Sequence, residues 1–432
     1  MQAILDLIAR HKAGSARGIC SVCSAHPLVI EATFAHALRH GAPFALIEAT
    51  SNQVNQYGGY TGMTPEAFRD YVLSIADRVG LPRSRVLLGG DHLGPNAWTK
   101  DDAETAMARA EQMVADYVAA GFRKIHLDCS MSCADDPVPL NDAMIAGRAA
   151  RLCTASEEAW ARAGGETPVY VIGTEVPVPG GAAEDLDTIA VTAPEAALAT
   201  IDAHRRHFAE AGLDGAWERV VGLVVQPGVE FDHRKVVDYE PGAAAALSCS
   251  IEGQPHLLFE AHSTDYQQRQ ALADLVRDHF AILKVGPGLT FALREALWAL
   301  DAIERDWLGE GASGFRARMI ELMRANPEHW ERYYHGSGAA LDFDLQYSLS
   351  DRIRYYWPSA DAQAATAKML ANLGAHPPPL PLVSQYLPSA YAAIRRREAD
   401  AARPASMVLA HISTVLDDYH AAVSQGSETL NA

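Results

Sequence analysis

The sequence predicts an α/β chain closed into a (β/α)8 TIM barrel with a C-terminal helical extension, and three observations carry that prediction. Eight short β-branched or apolar runs recur along the chain: "RGICSVCS" (17–24), "PFALIEAT" (43–50), "RVLLGGDH" (85–92), "RKIHLDCS" (123–130), "PVYVIGTEV" (168–176), "RVVGLVVQPG" (219–228), "HLLFEAHS" (256–263) and "FAILKVGPG" (280–288). Helical stretches lie between them, as strand–helix alternation around a parallel barrel requires. No GxGxxG follows the first run, which weighs against a doubly wound open sheet, the alternative architecture. The expected division is a barrel over residues 1–300 and a helical extension packed on it over 301–432.

Each element has its own warrant. The first run carries Cys20 and Cys23, a CxxC spacing that on a strand places the two thiols on opposite faces, so they read as buried structural thiols. The second alternates Leu46, Glu48 and Thr50 on one face. "TPEAFRDYVLSIADRVG" follows as a helix, with Thr64 to cap it, Pro65 in the first position and Gly80 to end it. The third run halts at Asp91 and His92 inside "LLGGDHLGPN", either a strand end at a ligand-approaching mouth or a tight turn with a solvated pair. "DDAETAMARAEQMVADYVAAGF" has an acidic start and Gly121 at its close. The fourth run places Lys124, His126 and Asp128 on one face; Glu175 ends the fifth and Gln226 the sixth. The seventh aligns His256, Leu258, Glu260 and His262, and Lys284 lies near the end of the eighth. Beyond about residue 300 the strand rhythm stops and the chain turns helical and aromatic, as in "HWERYYHG".

Inward strand positions near the C-terminal ends line the mouth of such a barrel. Many ionisable groups gathered there are costly unless they pair or bind something, so several at matching strand ends point to a site. His92, His262 and carboxylates such as Asp128 and Glu175 form a mixed N/O set that suits Zn, Mn or a similar divalent ion.

Composition sets the outer bounds. With 432 residues, 49% hydrophobic and 21% charged, the chain can bury a large core. A formal charge of −18 disfavours nucleic acid and anionic membrane as partners, so an anionic substrate needs a local cluster of donors. Six cysteines fit a reducing compartment. With no basic leader at the start and no apolar run of membrane-spanning length, the expectation is a cytoplasmic chain.

The segments "GICSVCSAHPLVIEA", "LIEATSNQVNQYGGYTGM", "LGGDHLGPN", "KIHLDCSMSCADDP", "VIGTEVPVPGG", "FEAHSTDYQ", "LKVGPGLTFALREAL" and "SLSDRIRYYWP" together resemble the GatZ/KbaZ family, the Z subunits of class II tagatose-bisphosphate aldolase. The resemblance runs from near residue 8 to at least residue 358. It implies a barrel related to the class II aldolases and a place in galactitol, galactosamine or tagatose catabolism. Members carry three descriptions: a non-catalytic aldolase subunit, a tagatose-6-phosphate kinase, and a ketose 4-epimerase. The chain has neither GxxxxGK[ST] nor a kinase-type Gly-rich loop, which discounts the kinase.

By motif position the resemblance implies His92 and His262 as metal ligands with Glu175 as the third, Zn as the metal, and Asp91 and Asp128 as acid/base groups. No three-histidine set is evident in the sequence. Asn52, Gln53, Asn55 and Gln56 offer amides to sugar hydroxyls, and Gln226 ends its strand at the same level. Ser263, Thr264, Arg352 and Arg354 are candidates for a phosphate, as are the backbone amides of "VGPGLT" at a helix start. The expected activity is a metal-dependent hexulose 6-phosphate 4-epimerase, an isomerase linking D-tagatose 6-phosphate and D-fructose 6-phosphate by retro-aldol and aldol steps. The alternative is a support subunit partnered by a class II aldolase catalytic chain. A homo-oligomer is expected.

Overall fold

The computed structural model describes residues 1–174 and 189–424. Ten strands occur among them: β1 (Ile19–Cys23), β2 (Ala45–Thr50), β3 (Val86–Leu93), β4 (Lys124–Leu127), β5 (Val169–Ile172), β6 (Val220–Val225), β7 (Glu230–Phe231), β8 (Val236–Val237), β9 (Leu258–Ala261) and β10 (Ile282–Val285). Eight of them close a parallel barrel in the order β1-β10-β9-β6-β5-β4-β3-β2, one for each run in the sequence. The helices expected after β2 and β3 form as read. Thr64 Oγ1 accepts from Ala67 N and Gly80 adopts φ +83 at the end of Pro65–Val79. Asp102 caps Ala103–Ala119 by accepting from Thr105 N at 2.9 Å.

The alternation read in β2 is observed. Ile47 and Ala49 are fully buried, while Glu48 points to the barrel axis. Two glycines leave room inside: a Cβ on Gly222 would meet Ile282 at 3.2 Å, and one on Gly89 would meet Glu48 Oε1 at 2.6 Å. Tyr117, Phe122, Phe259 and Phe280 fill the layer beneath the helices, with the last two rings stacked at 5.2 Å.

The pair β7–β8, an antiparallel hairpin after β6, has no counterpart in the sequence reading, because two-residue strands carry no periodicity. It grips the C-terminal extension. His233 O accepts from Leu349 N at 3.0 Å, His233 Nδ1 meets Ser348 and Ser350 Oγ at 3.1 and 3.2 Å, and Arg234 pairs with Asp344 at 3.0 Å. Tyr266 OH donates to Leu349 O at 2.6 Å. From Pro287 onward all longer elements are helices, and the 3-10 turn Arg352–Tyr355 comes back over the barrel mouth. No helix among the described residues is long and apolar enough to cross a membrane.

Candidate active site at the barrel mouth

Strict alternation would send Asp91 and His92 to opposite faces of β3. The β3–β4 register shifts between Gly90 and Leu93, and His92 takes φ +48, so this bulge turns both side chains into the mouth. The glycines of "GGDHLG" make the bulge possible. On Gly90 a Cβ would strike Leu93 and Tyr117, and on Gly94 it would lie 1.6 Å from Asp128 O, so the exit of β3 rests directly on the backbone leaving β4. Gly94→Ala is expected to lower stability by about 1–3 kcal/mol through this overpacking, read from the midpoint of urea unfolding. An unchanged midpoint would separate the two strand exits.

Two lysines and three carboxylates sit beneath. Lys124 Nζ lies 2.7 Å from Glu48 and 2.6 Å from Glu260, and Lys284 Nζ contacts Glu48 and lies 2.9 Å from Asp91 Oδ1. All five side chains are essentially inaccessible. Burial acts against the charge on Lys284, but Asp91, Cys23, Glu48 and Glu260 outweigh it and hold the ammonium well above its usual range. Burial likewise pushes the Asp91 carboxyl up, and His92, Lys284 and His126 overcome it and keep the group ionised.

Three imidazoles meet above this layer. His92, His126 and His262 have ring centroids 5.2, 5.0 and 5.3 Å apart in pairs. Rings sharing one tetrahedral ion at ordinary bond lengths would be separated by about 5 Å. His92 Nδ1 is held at 2.8 Å by Asp128 Oδ2, and Asp128 Oδ1 accepts from Ser130 N and Oγ at 3.1 and 2.6 Å. His126 Nδ1 faces Asp91 Oδ1 at 2.9 Å, and His262 Nε2 faces Glu260 Oε1 at 2.9 Å. Burial pushes the His262 pKa down to about 4, against the pull of Glu260, so its ring is neutral at neutral pH.

The residues fit a divalent cation. Asp91, His126, Glu260 and His262 can each aim a ligand atom so that all lie within 4.8 Å of one another, and the buried Nε2 of His126 has no hydrogen-bond partner. Glu48, Asp91, Asp128 and Glu260 outnumber Lys124 and Lys284, and Asp128 pairs instead with His92, whose pKa burial lowers but Asp91 and Asp128 hold above its usual value. A divalent ion would add positive charge where carboxylates are in surplus.

The mouth opens into a cleft lined by Asp91, His92, His262, Ser263, Lys284 and Arg354, among others, and a cavity of about 550 Å³ adjoins it past Tyr60 and Trp357. Asn52 and Gln53 reach the cleft. Asn55 does not: its Nδ2 donates to Ser51 O and its Oδ1 accepts from Tyr57 and Gly59 N, which folds the loop. Gln226 Oε1 is likewise used by Gly228 and Val229 N, and Gln56 by Arg109 O. Asp128 stands behind His92, outside the cleft lining, and reaches substrate only through that ring. Glu175 lies outside the described residues.

The anion donors are also rearranged. Arg354 lines the cleft, but Arg352 turns away to His329 O and stacks on Tyr333 at 3.3 Å. The amides of the "VGPG" loop are taken: Gly286 N and Gly288 N both donate to Asp265 Oδ1, at 2.9 and 2.7 Å. Thr264 Oγ1 is spent on Lys284 O at 2.6 Å. Three further residues, none of them assigned a site role from the sequence, stand at or beside the mouth. Cys23 lines the cleft with Sγ 3.5 Å from Asp91, His126 completes a set of three imidazoles, and burial raises the Glu230 carboxyl to about 7 beside Ser263. His126 was legible from its inward position on β4; Glu230 was hidden by the short hairpin.

The family model described as "D-tagatose-1,6-bisphosphate aldolase subunit GatZ/KbaZ-like" matches residues 4–424. The chain belongs to the GatZ/KbaZ-like family. It is 50% identical to a solved protein from Sinorhizobium meliloti 1021 described as a "probable tagatose 6 phosphate kinase", over 94% of this chain and 100% of that one, with a TM-score of 0.87. A fructose-bisphosphate aldolase from Campylobacter jejuni is 13% identical, over 85% of this chain and 91% of that one, at a TM-score of 0.43. Family membership gives the chain a role related to tagatose-bisphosphate aldolase.

Proposed function

We propose that the chain is a metal-dependent ketohexose 6-phosphate 4-epimerase acting between D-tagatose 6-phosphate and D-fructose 6-phosphate. One observation carries this reading: the barrel mouth combines three imidazoles spaced for one divalent ion, a buried carboxylate at Asp91 and a cationic arm at Arg354 around one cleft. The substrate class follows the names of its relatives, a tagatose-1,6-bisphosphate aldolase subunit family and a protein named for tagatose 6 phosphate.

The reaction must invert C4, which is not adjacent to the C2 carbonyl, so removing its hydrogen as a proton is not stabilised by that carbonyl. Breaking the C3–C4 bond is stabilised. The C4 hydroxyl loses its proton as C4 becomes an aldehyde, the bonding pair passes to the C2–C3 enediolate, and re-addition to the other face of the rotated aldehyde restores the bond. A bound divalent ion would supply Lewis-acid stabilisation of the enediolate oxygens, held by His92, His126 and His262 with Zn as the proposed metal. Asp91 takes the C4 hydroxyl proton. Glu230, in the β7–β8 hairpin beside the cleft residue Ser263 and with its carboxyl raised to about 7 by burial, is assigned the return of the proton. Arg354 holds the phosphate. Asp128 fixes the tautomer of His92 and thereby its lone pair.

The test is the purified chain with Zn²⁺ or Mn²⁺ and tagatose 6-phosphate, followed by NMR for fructose 6-phosphate. Product formation that depends on metal supports the reading. Its absence, with activity appearing only when a class II aldolase catalytic chain is added, would assign the chain to the support role its family description names. Asp128→Asn is expected to weaken binding of the barrel metal roughly 10- to 100-fold, measured by competition with a chelating dye. Equal affinity would remove Asp128 from the metal's support.

A further inference from the structure

A second cluster of imidazoles lies outside the barrel, where the helix Pro27–Arg39 meets the C-terminal helix Pro404–Val423. His36 and His40 are four residues apart, so both rings project from one face and stack at 4.3 Å. Asp417 comes in from the other helix: its Oδ1 lies 2.9 Å from His36 Nε2 and 3.5 Å from His40 Nε2. One turn on, the His420 ring stands 4.5 Å from His40 and 5.4 Å from His36.

We propose that this cluster is a second metal site, in which His36, His40 and Asp417 bind one divalent transition ion of the Zn²⁺ class and clip the C-terminal helix to the barrel's helical layer. The dimensions suit it. Two ligand atoms on one tetrahedral Zn²⁺ are about 3.4 Å apart at ordinary bond lengths, and the candidate atoms of all three residues lie within 4.8 Å of one another. The donor set of two or three nitrogens and one carboxylate is the borderline set that selects Zn²⁺ over Mg²⁺ or Ca²⁺. His40, with its side chain 32% exposed, gives the ion an entry path, while His36 is buried and fixed. His40 caps the C-terminus of its helix and His420 sits in the last turn of the other, so two helix dipoles present their negative ends here.

The C-terminal helix also closes the barrel. Val423 O accepts from Gly18 N at 3.1 Å, and Tyr419 OH donates to Thr264 O at 2.8 Å. A clip on this helix therefore acts on the whole fold without touching the cleft.

The experiment compares the full chain, His40→Ala, His262→Ala and the double variant, each stripped with a chelator and titrated with Zn²⁺ alone by calorimetry, with bound metal counted by elemental analysis. His40→Ala is expected to lose one equivalent of Zn²⁺ in either background and to lose the corresponding Zn²⁺-induced rise in Tm, while keeping whatever turnover the full chain shows. His262→Ala is expected to keep that equivalent. The comparison holds whether or not the barrel mouth binds metal, because the lost equivalent is counted against its own background. Asp417→Asn is a second variant in case His40→Ala misfolds, and it should weaken the same equivalent. Unchanged stoichiometry and unchanged Tm response in both variants would overturn the site.

Discussion

Lys124→Met is expected to destabilise the metal-free chain by about 3–5 kcal/mol, the loss typical of removing one partner from a buried ion pair. Lys124 is fully buried at the foot of the mouth, with Glu48 and Glu260 on either side at 2.7 and 2.6 Å. Methionine matches much of its volume but leaves two carboxylates in an apolar barrel. Lys284, which contacts Glu48 and stands 3.8 Å from Glu260, offsets only part of that charge. The double variant Lys124→Met, Glu260→Gln removes one uncompensated carboxylate and should recover a measurable share of the loss. Urea unfolding at neutral pH with chelator present measures both. A single-variant loss below about 1 kcal/mol would mean that water or protons already neutralise the network.

The barrel was legible in the sequence because its eight strands are short apolar runs separated by helices with strong caps, such as Thr64 with Gly80 and Asp102 with Gly121. The inward positions of Glu48, Lys124 and Glu260 followed from period-2 alternation, and at the barrel axis they meet Lys284, which was read only as lying near the end of its strand. Alternation fails at His92, where a bulge and a positive φ re-aim the chain; the glycines around it were the only local sign. Polar loop residues were harder to place. Asn55 and Gln226 serve neighbouring backbone amides, as short side-chain amides in loops often do, and sequence cannot separate that use from ligand binding. The amides of the "VGPG" loop are consumed by Asp265, a partner about twenty residues away in the chain and invisible to any local pattern. Arg352 and Arg354 are two residues apart and serve different ends, because one stacks on Tyr333 while the other enters the cleft.

Asp91→Asn is expected to slow epimerisation by roughly 10²- to 10⁴-fold, the range for removal of a general acid or base. The substitution keeps the shape of the side chain but removes the proton acceptor. Because Asp91 also meets Lys284 and His126, a fall in rate is informative only if the variant keeps its urea midpoint within about 1 kcal/mol and its Zn²⁺ stoichiometry. The bond that breaks can be read at the same time. If C3–C4 cleavage occurs, the triose aldehyde exists free within the cleft for a short time, so labelled glyceraldehyde 3-phosphate supplied with dihydroxyacetone should enter the ketose pool in the native chain and far more slowly in Asp91→Asn. Deuterium at C4 would then give only a small isotope effect, because the C4–H bond is never broken. Hydride removal would reverse both results, with no label entering and a large primary isotope effect at C4, and it would require a nicotinamide that the proposed chemistry does not use. That outcome would overturn the retro-aldol route and with it the role assigned to Asp91.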